Sequence, residues 1–295
     1  MKAIITPTAA LRVDIYERVT DSILKMLEAG PKGHAPRWNK TGGGRPLRFN
    51  GMPYQGINAI LLWAAALEAG YASNTWMTYR QAAKLGGRVR KGEHGSLVVY
   101  AGKTVKFEET DAGDDFERSI SFLKGYTVFN GDQIDGLPSR SATAEPVAPI
   151  RAAEAFIERC GADFHHGGDR AFYSITQDRI HLPAVEAFLD AEGYAATKIH
   201  ELTHWTGHQS RLARDFGRRF GDVAYAFEEL VAELCSAFLC ADLGISAEPR
   251  ADHASYLASW IAVLRDDKRA IFTAASQAQQ AADYLHAFQE VAETV

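Results

Sequence analysis

Three histidines and one glutamate, all able to bind a metal ion, lie within nine residues of the segment KIHELTHWTGHQSRL, residues 198–212. His200, Glu201 and His204 form the pattern H-E-x-x-H. On a helix, side chains four residues apart lie one above the other, so both imidazoles can face one cation. Zinc lowers the pKa of a bound water to about 7, and Glu201 is near enough to act as the general base. The pattern predicts metal-assisted hydrolysis, and the structural alternative is a solvated polar helix face.

A third metal ligand is expected from the segment FGDVAYAFEELVAELCSAFLCADLG, residues 220–244. At about 100° per residue, Glu228 points nearly opposite to the apolar face of this helix, which predicts a solvated side chain. Glu229 and Glu233 flank the apolar face, where a carboxylate is costly unless it is paired or bound to a metal. Helix geometry alone leaves the choice between Glu229 and Glu233 open.

His208 has no place in the H-E-x-x-H pattern. A longer variant, H-E-x-x-H-x-x-G-x-x-H, requires a histidine six residues after His204, where this chain has Ser210, although Gly207 matches its glycine. On an unbroken helix His208 would lie about 12 Å from His200, too far to share one cation. Gly207 is expected to end the helix first. We therefore interpret His208 as a helix-end or substrate-side residue.

Two blocks of secondary structure must position these residues. The first contains helical spacing in VDIYERVTDSILKMLEAG and a hairpin formed by GSLVVYAGKTVKFEE and SISFLKGYTVFN. The segment DGLPSRSATAEPVAP is typical of a linker. A strand and a long helical region follow it. The sequence predicts an α+β protein with one domain at residues 1–135, a linker at 136–149 and a mainly helical domain with a small sheet at 150–295.

Composition and charge are those of a globular protein with two unlike halves. Hydrophobic residues make up 46% and charged residues 23% of the chain. Residues 1–150 contain 19 Lys and Arg against 15 Asp and Glu, and the remainder contains 13 against 22. The three cysteines form no CxxC pair, and the longest apolar run is shorter than the roughly 20 residues of a membrane span. We expect a soluble, cytoplasmic protein without a membrane partner.

Basic and aromatic side chains alternate in the first half. Cations that follow a phosphate backbone, with aromatic rings that stack on bases, are typical of single-stranded-DNA binding. A solvated charged face, with Trp76 in the core, is the structural alternative. The candidate DNA-binding residues are Arg37, Trp38, Lys40, Arg45, Arg48 and Tyr54 in a glycine-rich loop, and Trp76, Tyr79, Arg80, Arg88, Arg90 and Lys91 after it, with Tyr100 further along.

With these motifs in view, the chain resembles the ArdC-type antirestriction proteins of conjugative plasmids. HELTHWTGHQSRLARDFGRRFGDVAYAFEELVAEL carries the resemblance in the second half, and RVDIYERVTDSILKMLEAG, YQGINAILLW and NTWMTYRQAAKLGGRVRKGEHGSLVVY carry it in the first. The resemblance implies an N-terminal single-stranded-DNA-binding domain fused to a zincin-like metallopeptidase domain. It also implies that His200, His204 and Glu229 are the metal ligands, that Glu201 is the general base and that Glu233 orients an imidazole.

The resemblance further implies a protein that protects incoming conjugative DNA from host restriction. The expected cofactor is Zn²⁺, with Mn²⁺ or another divalent metal as alternatives. Single-stranded DNA is the expected partner, double-stranded DNA is a second candidate, and the protein substrate is unknown. Tyr225, Tyr173 and His208 are candidate donors to the oxyanion of a tetrahedral intermediate. Two rival hypotheses are a DNA-coating protein whose metal is structural and a regulatory peptidase that DNA localises.

Overall fold

A long antiparallel hairpin dominates the first half of the computed structural model, which describes residues 14–28, 44–109, 115–137, 149–188, 190–217, 223–245 and 253–290. The predicted hairpin is thereby confirmed, and residues 110–114 between its two strands lie outside the described residues. The elements of this half are α1 (Ile15–Glu28), β1 (Leu47–Arg48), α2 (Ile57–Ala69), β2 (Thr75–Met77), α3 (Tyr79–Lys84), β3 (Arg88–Val89), β4 (Ser96–Glu109), β5 (Asp115–Asn130) and β6 (Ile134–Asp135).

Four strands of this half form one sheet in the order β1-β2-β5-β4, and β3 pairs with β6 in a second sheet. In the hairpin, Tyr100 lies opposite Lys124 and Val98 opposite Tyr126. The helix α2 packs beside β4, where the Asn58 amide bonds to both the backbone N–H and the carbonyl of Val99 at 2.7 and 2.8 Å. This contact satisfies part of the open edge of β4.

The second half places a small sheet beside a set of helices, as predicted. Its sheet has the order β7-β9-β8, in which β7 and β9 are parallel and β8 is an antiparallel edge strand. Among the described residues, no helix is long and apolar enough to cross a membrane. The elements are α4 (Pro149–Arg159), β7 (Asp163–His166), β8 (Phe172–Ser174), β9 (Arg179–Leu182), α5 (Ala191–Thr206), α6 (Val223–Leu243), α7 (His253–Asp266) and α8 (Ala270–Glu290).

Local signals account for both ends of α5, the helix with the H-E-x-x-H pattern. At its start, the Asp190 carboxylate accepts a hydrogen bond from the Gly193 backbone N–H at 2.6 Å, which caps the helix. At its other end Gly207 is the C-cap, so the expectation that Gly207 ends this helix is confirmed. Every residue from Ala195 to Thr206 is buried. Because this part of α5 is buried on every side, its polar side chains must find partners inside the protein.

The two domains pack against each other through one continuous hydrophobic core. The largest buried cluster includes Ile23, Trp63 and Val99 from the first half and Ile199 and Phe238 from the second. The Trp63 and Phe238 rings lie 5.9 Å apart, centroid to centroid. Residues 138–148 of the predicted linker lie outside the described residues. The apolar contact means that α5 and α6 are held in place by residues from both halves.

An ion pair between a buried arginine and a partly exposed aspartate reinforces this contact. The Arg45 guanidinium binds both carboxylate oxygens of Asp242 on α6 at 2.7 and 2.8 Å, and donates to Gln279 on α8 at 2.8 Å. It also lies 4.7 Å from the centroid of the Phe238 ring. Since the Arg45 side chain is buried and its charge is neutralised inside the protein, the prediction that it contacts DNA is wrong.

Arg45→Ala is expected to lower the free energy of unfolding by about 2–3 kcal/mol, because it removes a buried guanidinium together with its bonds to Asp242 and Gln279 and its contact with the Phe238 ring. Arg48→Ala removes an exposed arginine whose guanidinium lies over the Tyr54 ring, and should cost less than about 1 kcal/mol. Denaturant unfolding of both variants measures the difference. Equal, small losses would contradict a structural role for Arg45.

Candidate metal centre

Helices α5 and α6 bring three ligand side chains to one point. The Nε2 atoms of His200 and His204 lie 3.2 Å apart, and the Glu229 carboxylate oxygens lie 3.6 Å from each of them. One ligand atom from each residue falls within 4.8 Å of the other two, and all three side chains are buried. Two imidazoles and a carboxylate are a donor set that divalent zinc accepts, with a further position open to water or substrate.

A carboxylate stands behind the first imidazole. Glu233 Oε1 lies 2.8 Å from Nδ1 of His200, on the side of the ring away from the ligand atoms. Glu233 is one turn beyond Glu229 on α6, so one helix supplies both carboxylates. In known metal sites, carboxylates behind a ligating imidazole fix its orientation and increase the basicity of its other nitrogen.

A second carboxylate stands behind His204, and it is one that the sequence analysis excluded. Glu228 Oε1 lies 3.1 Å from Nδ1 of His204, and the Glu228 side chain is 2% exposed rather than solvated. The guanidinium of Arg214 binds both Glu228 oxygens at 2.8 and 2.9 Å. The prediction for Glu228 was wrong because it assumed one buried face on α6, whereas the loop after α5 covers the opposite face and supplies an arginine.

The loop that carries Arg214 also closes the end of α5. Arg214 donates to the Thr203 carbonyl at 2.6 Å and to Oγ1 of Thr206 at 2.8 Å, which satisfies acceptors at the end of the helix. Gly207 permits this packing, because a Cβ atom there would lie 2.7 Å from the Phe216 ring and 2.9 Å from Arg214. The Phe216 ring in turn lies 6.1 Å from that of His204, centroid to centroid. A side chain at position 207 would therefore have to displace the Phe216 ring or the Arg214 guanidinium.

The electrostatics of the centre call for a cation. Burial lowers the pKa of His200, but the Glu233 and Glu229 carboxylates outweigh it and raise that pKa well above its usual value. Burial raises the pKa of Glu229, yet hydrogen bonds and charge interactions with the two histidines lower it to about 2. Because both Nδ1 atoms face carboxylates, the two Nε2 lone pairs point at each other. A proton or a metal ion is needed between them.

The predicted catalytic residues occupy different places around this centre. Glu201 is buried beside His200, and its charge contributes to the raised pKa of that imidazole. The Tyr225 hydroxyl hydrogen-bonds to the Glu229 carboxylate. His208 lies beyond the end of α5, where its Nδ1 accepts from the Ser210 backbone N–H at 3.2 Å, and it is not among the converging ligand atoms.

Tyr173, the remaining oxyanion candidate, is already engaged in a hydrogen-bond network. Its hydroxyl donates to Asp178 at 2.7 Å and accepts from Arg211 at 3.2 Å. The Tyr173 ring lies 6.0 Å from the Phe216 ring, so β8 approaches the centre on the Phe216 side. The structure therefore places the edge strand β8 near the centre, but with the Tyr173 hydroxyl turned to other partners.

The candidate DNA-binding residues divide into three groups. Arg37, Trp38 and Lys40 lie outside the described residues. Trp76 is 1% exposed and Tyr54 is also buried, so the predictions for these two rings are wrong: both pack in a core cluster between α2 and the sheet. The exposed candidates are Arg48, Tyr79, Arg80, Arg88, Arg90 and Lys91.

The sequence analysis missed part of the exposed aromatic surface on the hairpin. Tyr100 is 56% and Tyr126 is 47% exposed. Lys124 lies directly opposite Tyr100, and its ammonium group is 4.9 Å from the Phe122 ring centroid. Because Val98 pairs with Tyr126, residues 98, 100, 124 and 126 share one face of the sheet. Strict alternation along SISFLKGYTVFN was the signal that could have identified Phe122, Lys124 and Tyr126.

Comparisons with known proteins agree with both halves of this architecture. Residues 13–129 match the family model of the N-terminal domain of anti-restriction factor ArdC, and residues 151–277 match that of a zincin-like metallopeptidase. The uncharacterized protein y4eC of Sinorhizobium fredii is 45% identical over 297 residues, covering 98% of this chain and 95% of y4eC. A DNA primase TraC of Escherichia coli is 39% identical over 302 residues, and the match spans 96% of this chain but only 28% of the primase.

Two solved structures are similar along nearly the whole chain. They are crystal structures of the antirestriction ArdC protein from plasmid R388, with 46% sequence identity. The metal-free form has a TM-score of 0.77 and is matched over 93% of this chain and 97% of its own. The Mn(II)-bound form has a TM-score of 0.75 and is matched over 93% and 98%.

Proposed function

Because the chain belongs to the ArdC family of antirestriction proteins, we propose that it protects incoming conjugative DNA from host restriction in the cytoplasm. In this proposal the first domain binds single-stranded DNA and the second is an H-E-x-x-H metallopeptidase. The observation that supports the peptidase most directly is the convergence of two imidazoles and a carboxylate inside 4.8 Å.

The chemistry of the second domain follows from its donor set. We propose that His200, His204 and Glu229 hold one divalent ion, either Zn²⁺ or Mn²⁺. The Mn(II)-bound crystal structure of the R388 relative favours Mn²⁺. Such an ion would polarise a peptide carbonyl and make a nucleophilic water available at neutral pH. Glu201 would take the proton of that water and pass it to the leaving amine.

Substrate positioning falls to residues around the ligands. The edge strand β8 offers backbone groups with which an extended peptide can pair. Tyr225, which hydrogen-bonds to Glu229, is the donor that we assign to the developing oxyanion. His208 lies beyond the helix end and is partly exposed, which fits a contact with bound peptide.

Glu201→Gln is expected to retain divalent-metal binding and single-stranded-DNA binding while proteolysis falls by about 10²–10⁴-fold, because the amide cannot accept the proton. Labelled casein provides a generic peptidase substrate, and Thr197→Ser on the same helix provides a variant that should cleave casein normally. Cleavage by the Glu201→Gln variant at the rate of the unmodified protein would contradict the assignment of Glu201.

Binding of single-stranded DNA is proposed for the exposed face of the hairpin and the cations around it. Tyr100, Phe122 and Tyr126 present rings on which bases can stack, and Lys124 adds a positive charge on the same face. The excess of Lys and Arg in residues 1–150 contrasts with the acidic remainder. Phosphate contacts are therefore assigned to the first domain, and the exposed candidates Arg48, Tyr79, Arg80, Arg88, Arg90 and Lys91 are retained.

Tyr100→Ala and Tyr126→Ala are each expected to weaken binding of an oligothymidine by about 5–150-fold, which corresponds to the loss of one stacked base. Phe172→Ala removes an exposed ring on the sheet of the acidic domain and serves as the matched control. Fluorescence anisotropy at several salt concentrations gives the affinities and their salt dependence. If Tyr100→Ala and Tyr126→Ala both bind the oligothymidine as tightly as the Phe172→Ala control and the unmodified protein do, the hairpin face is not the stacking surface.

The burial of the ligands favours one rival function. His200, His204 and Glu229 are 5, 7 and 8% exposed, which also suits an ion that stabilises the fold of a DNA-coating protein. Protection of DNA in cells by the Glu201→Gln variant, at the level of the unmodified protein, would support this alternative. Loss of protection in that variant would support the peptidase.

A further inference from the structure

A chain of three charged or polar side chains extends from the metal centre to the loop after α5. His204 Nδ1 faces Glu228 at 3.1 Å, and Arg214 binds both oxygens of Glu228. Glu228 and the side chain of Arg214 are almost completely buried. We propose that Glu228 and Arg214 are positioning residues that hold His204 as a metal ligand and thereby set the affinity of the centre for divalent ions. The inference rests on the proposed ligand set His200, His204 and Glu229.

The contact with Glu228 fixes the tautomer of His204. An ionised carboxylate only accepts hydrogen bonds, so the contact with Glu228 places the ring proton on Nδ1. The lone pair is then on Nε2, the atom that faces His200 and Glu229. Without this acceptor, the ring proton could occupy either nitrogen of His204. The ring would also lose the contact with Glu228 that fixes its orientation. Partners of this kind typically change metal affinity by about 10–100-fold.

Arg214 neutralises Glu228 and fixes the plane of its carboxylate. A carboxylate buried beside a metal centre is energetically costly unless a cation pairs with it. The planar guanidinium of Arg214 does this with two parallel hydrogen bonds, which also fix the plane of the Glu228 carboxylate. A lysine at this position would keep the charge and lose the bidentate geometry.

Arg214 also links Glu228 to the end of helix α5. Arg214 also holds the Thr203 carbonyl and the Thr206 hydroxyl, one residue before and two after His204. Docking of the loop, closure of α5 and orientation of His204 are therefore one structural event. Gly207 leaves the space that Arg214 and Phe216 fill.

A second arginine of the same loop, paired with Asp178 between β8 and β9, supplies a matched control. Arg211 binds Asp178 and donates to the Trp205 carbonyl at 2.6 Å. Like Arg214, it ties the loop to the end of α5, but its described partners, Asp178, Trp205 and Tyr173, include no metal ligand. Asp178→Asn thus perturbs loop docking without touching His204.

The test is the affinity of the purified full-length protein for Mn²⁺, measured by titration with detection of free Mn²⁺ by electron paramagnetic resonance. Glu228→Gln is expected to bind Mn²⁺ about 10–100-fold more weakly, because the amide carries no charge and its NH₂ group would face a donor, either Nε of Arg214 or Nδ1 of His204. Arg214→Lys should weaken binding by a smaller factor, since the charge is retained. Asp178→Asn should bind like the unmodified protein. Circular dichroism and oligothymidine affinity verify that each variant is folded.

Two results would overturn the inference. Unchanged Mn²⁺ affinity in both Glu228→Gln and Arg214→Lys would show that the pair does not position the ligand. An equal loss in Asp178→Asn would show that loop docking alone is responsible. If Glu228→Gln does not fold, the comparison of Arg214→Lys with Asp178→Asn decides. Failure of the proposed function is recognised separately, because His200→Ala would then bind Mn²⁺ as tightly as the unmodified protein.

Discussion

The burial of several carboxylates around two facing imidazoles is the constraint on which the second domain depends. Glu201, Glu228 and Glu229 are all almost inaccessible to solvent, and Glu233 lies 2.8 Å from His200. Of these four, Glu228 is neutralised by a buried guanidinium. Ionised groups in an apolar interior are strongly unfavourable unless they are paired or coordinate a cation. The interior of this domain therefore has a built-in requirement for positive charge at the two Nε2 atoms.

Two helices and one loop supply the side chains that surround the two Nε2 atoms. Helix α5 presents both imidazoles on one side, α6 supplies a carboxylate to each imidazole and one between them, and the loop after α5 supplies Arg214. Residues of the first domain then press on the same helices through the shared core and through Arg45. The metal-binding geometry and the contact between domains are consequently parts of one packed unit, which offers a physical route for one domain to influence the other.

Much of this could be predicted from sequence, and the failures have physical causes. The spacing of His200 and His204 fixes their common face because helix geometry is local. The choice between Glu229 and Glu233 depends on the angle and register at which α6 crosses α5, and a helical wheel of α6 alone does not contain this information. In the structure, Glu229 lies with the imidazole Nε2 atoms and Glu233 lies behind His200. Glu228 was missed because its partner Arg214 approaches from a loop.

The same limitation applies to the first domain. Arginine and tryptophan occur in DNA interfaces and in buried clusters alike, so residue type did not distinguish Arg45 or Trp76 from exposed candidates. Tertiary packing decided: α2 covers Trp76, and Asp242 from the other half of the chain neutralises Arg45. The hairpin, in contrast, was predictable because its alternation of side chains is a short-range pattern.

Diffraction from crystals grown with Zn²⁺, recorded on both sides of the zinc absorption edge, tests the central claim most directly. The account predicts one strong anomalous peak between α5 and α6, within about 2.2 Å of Nε2 of His200, Nε2 of His204 and a carboxylate oxygen of Glu229. Zinc bound elsewhere, with these three side chains retaining their positions around a proton, would contradict it.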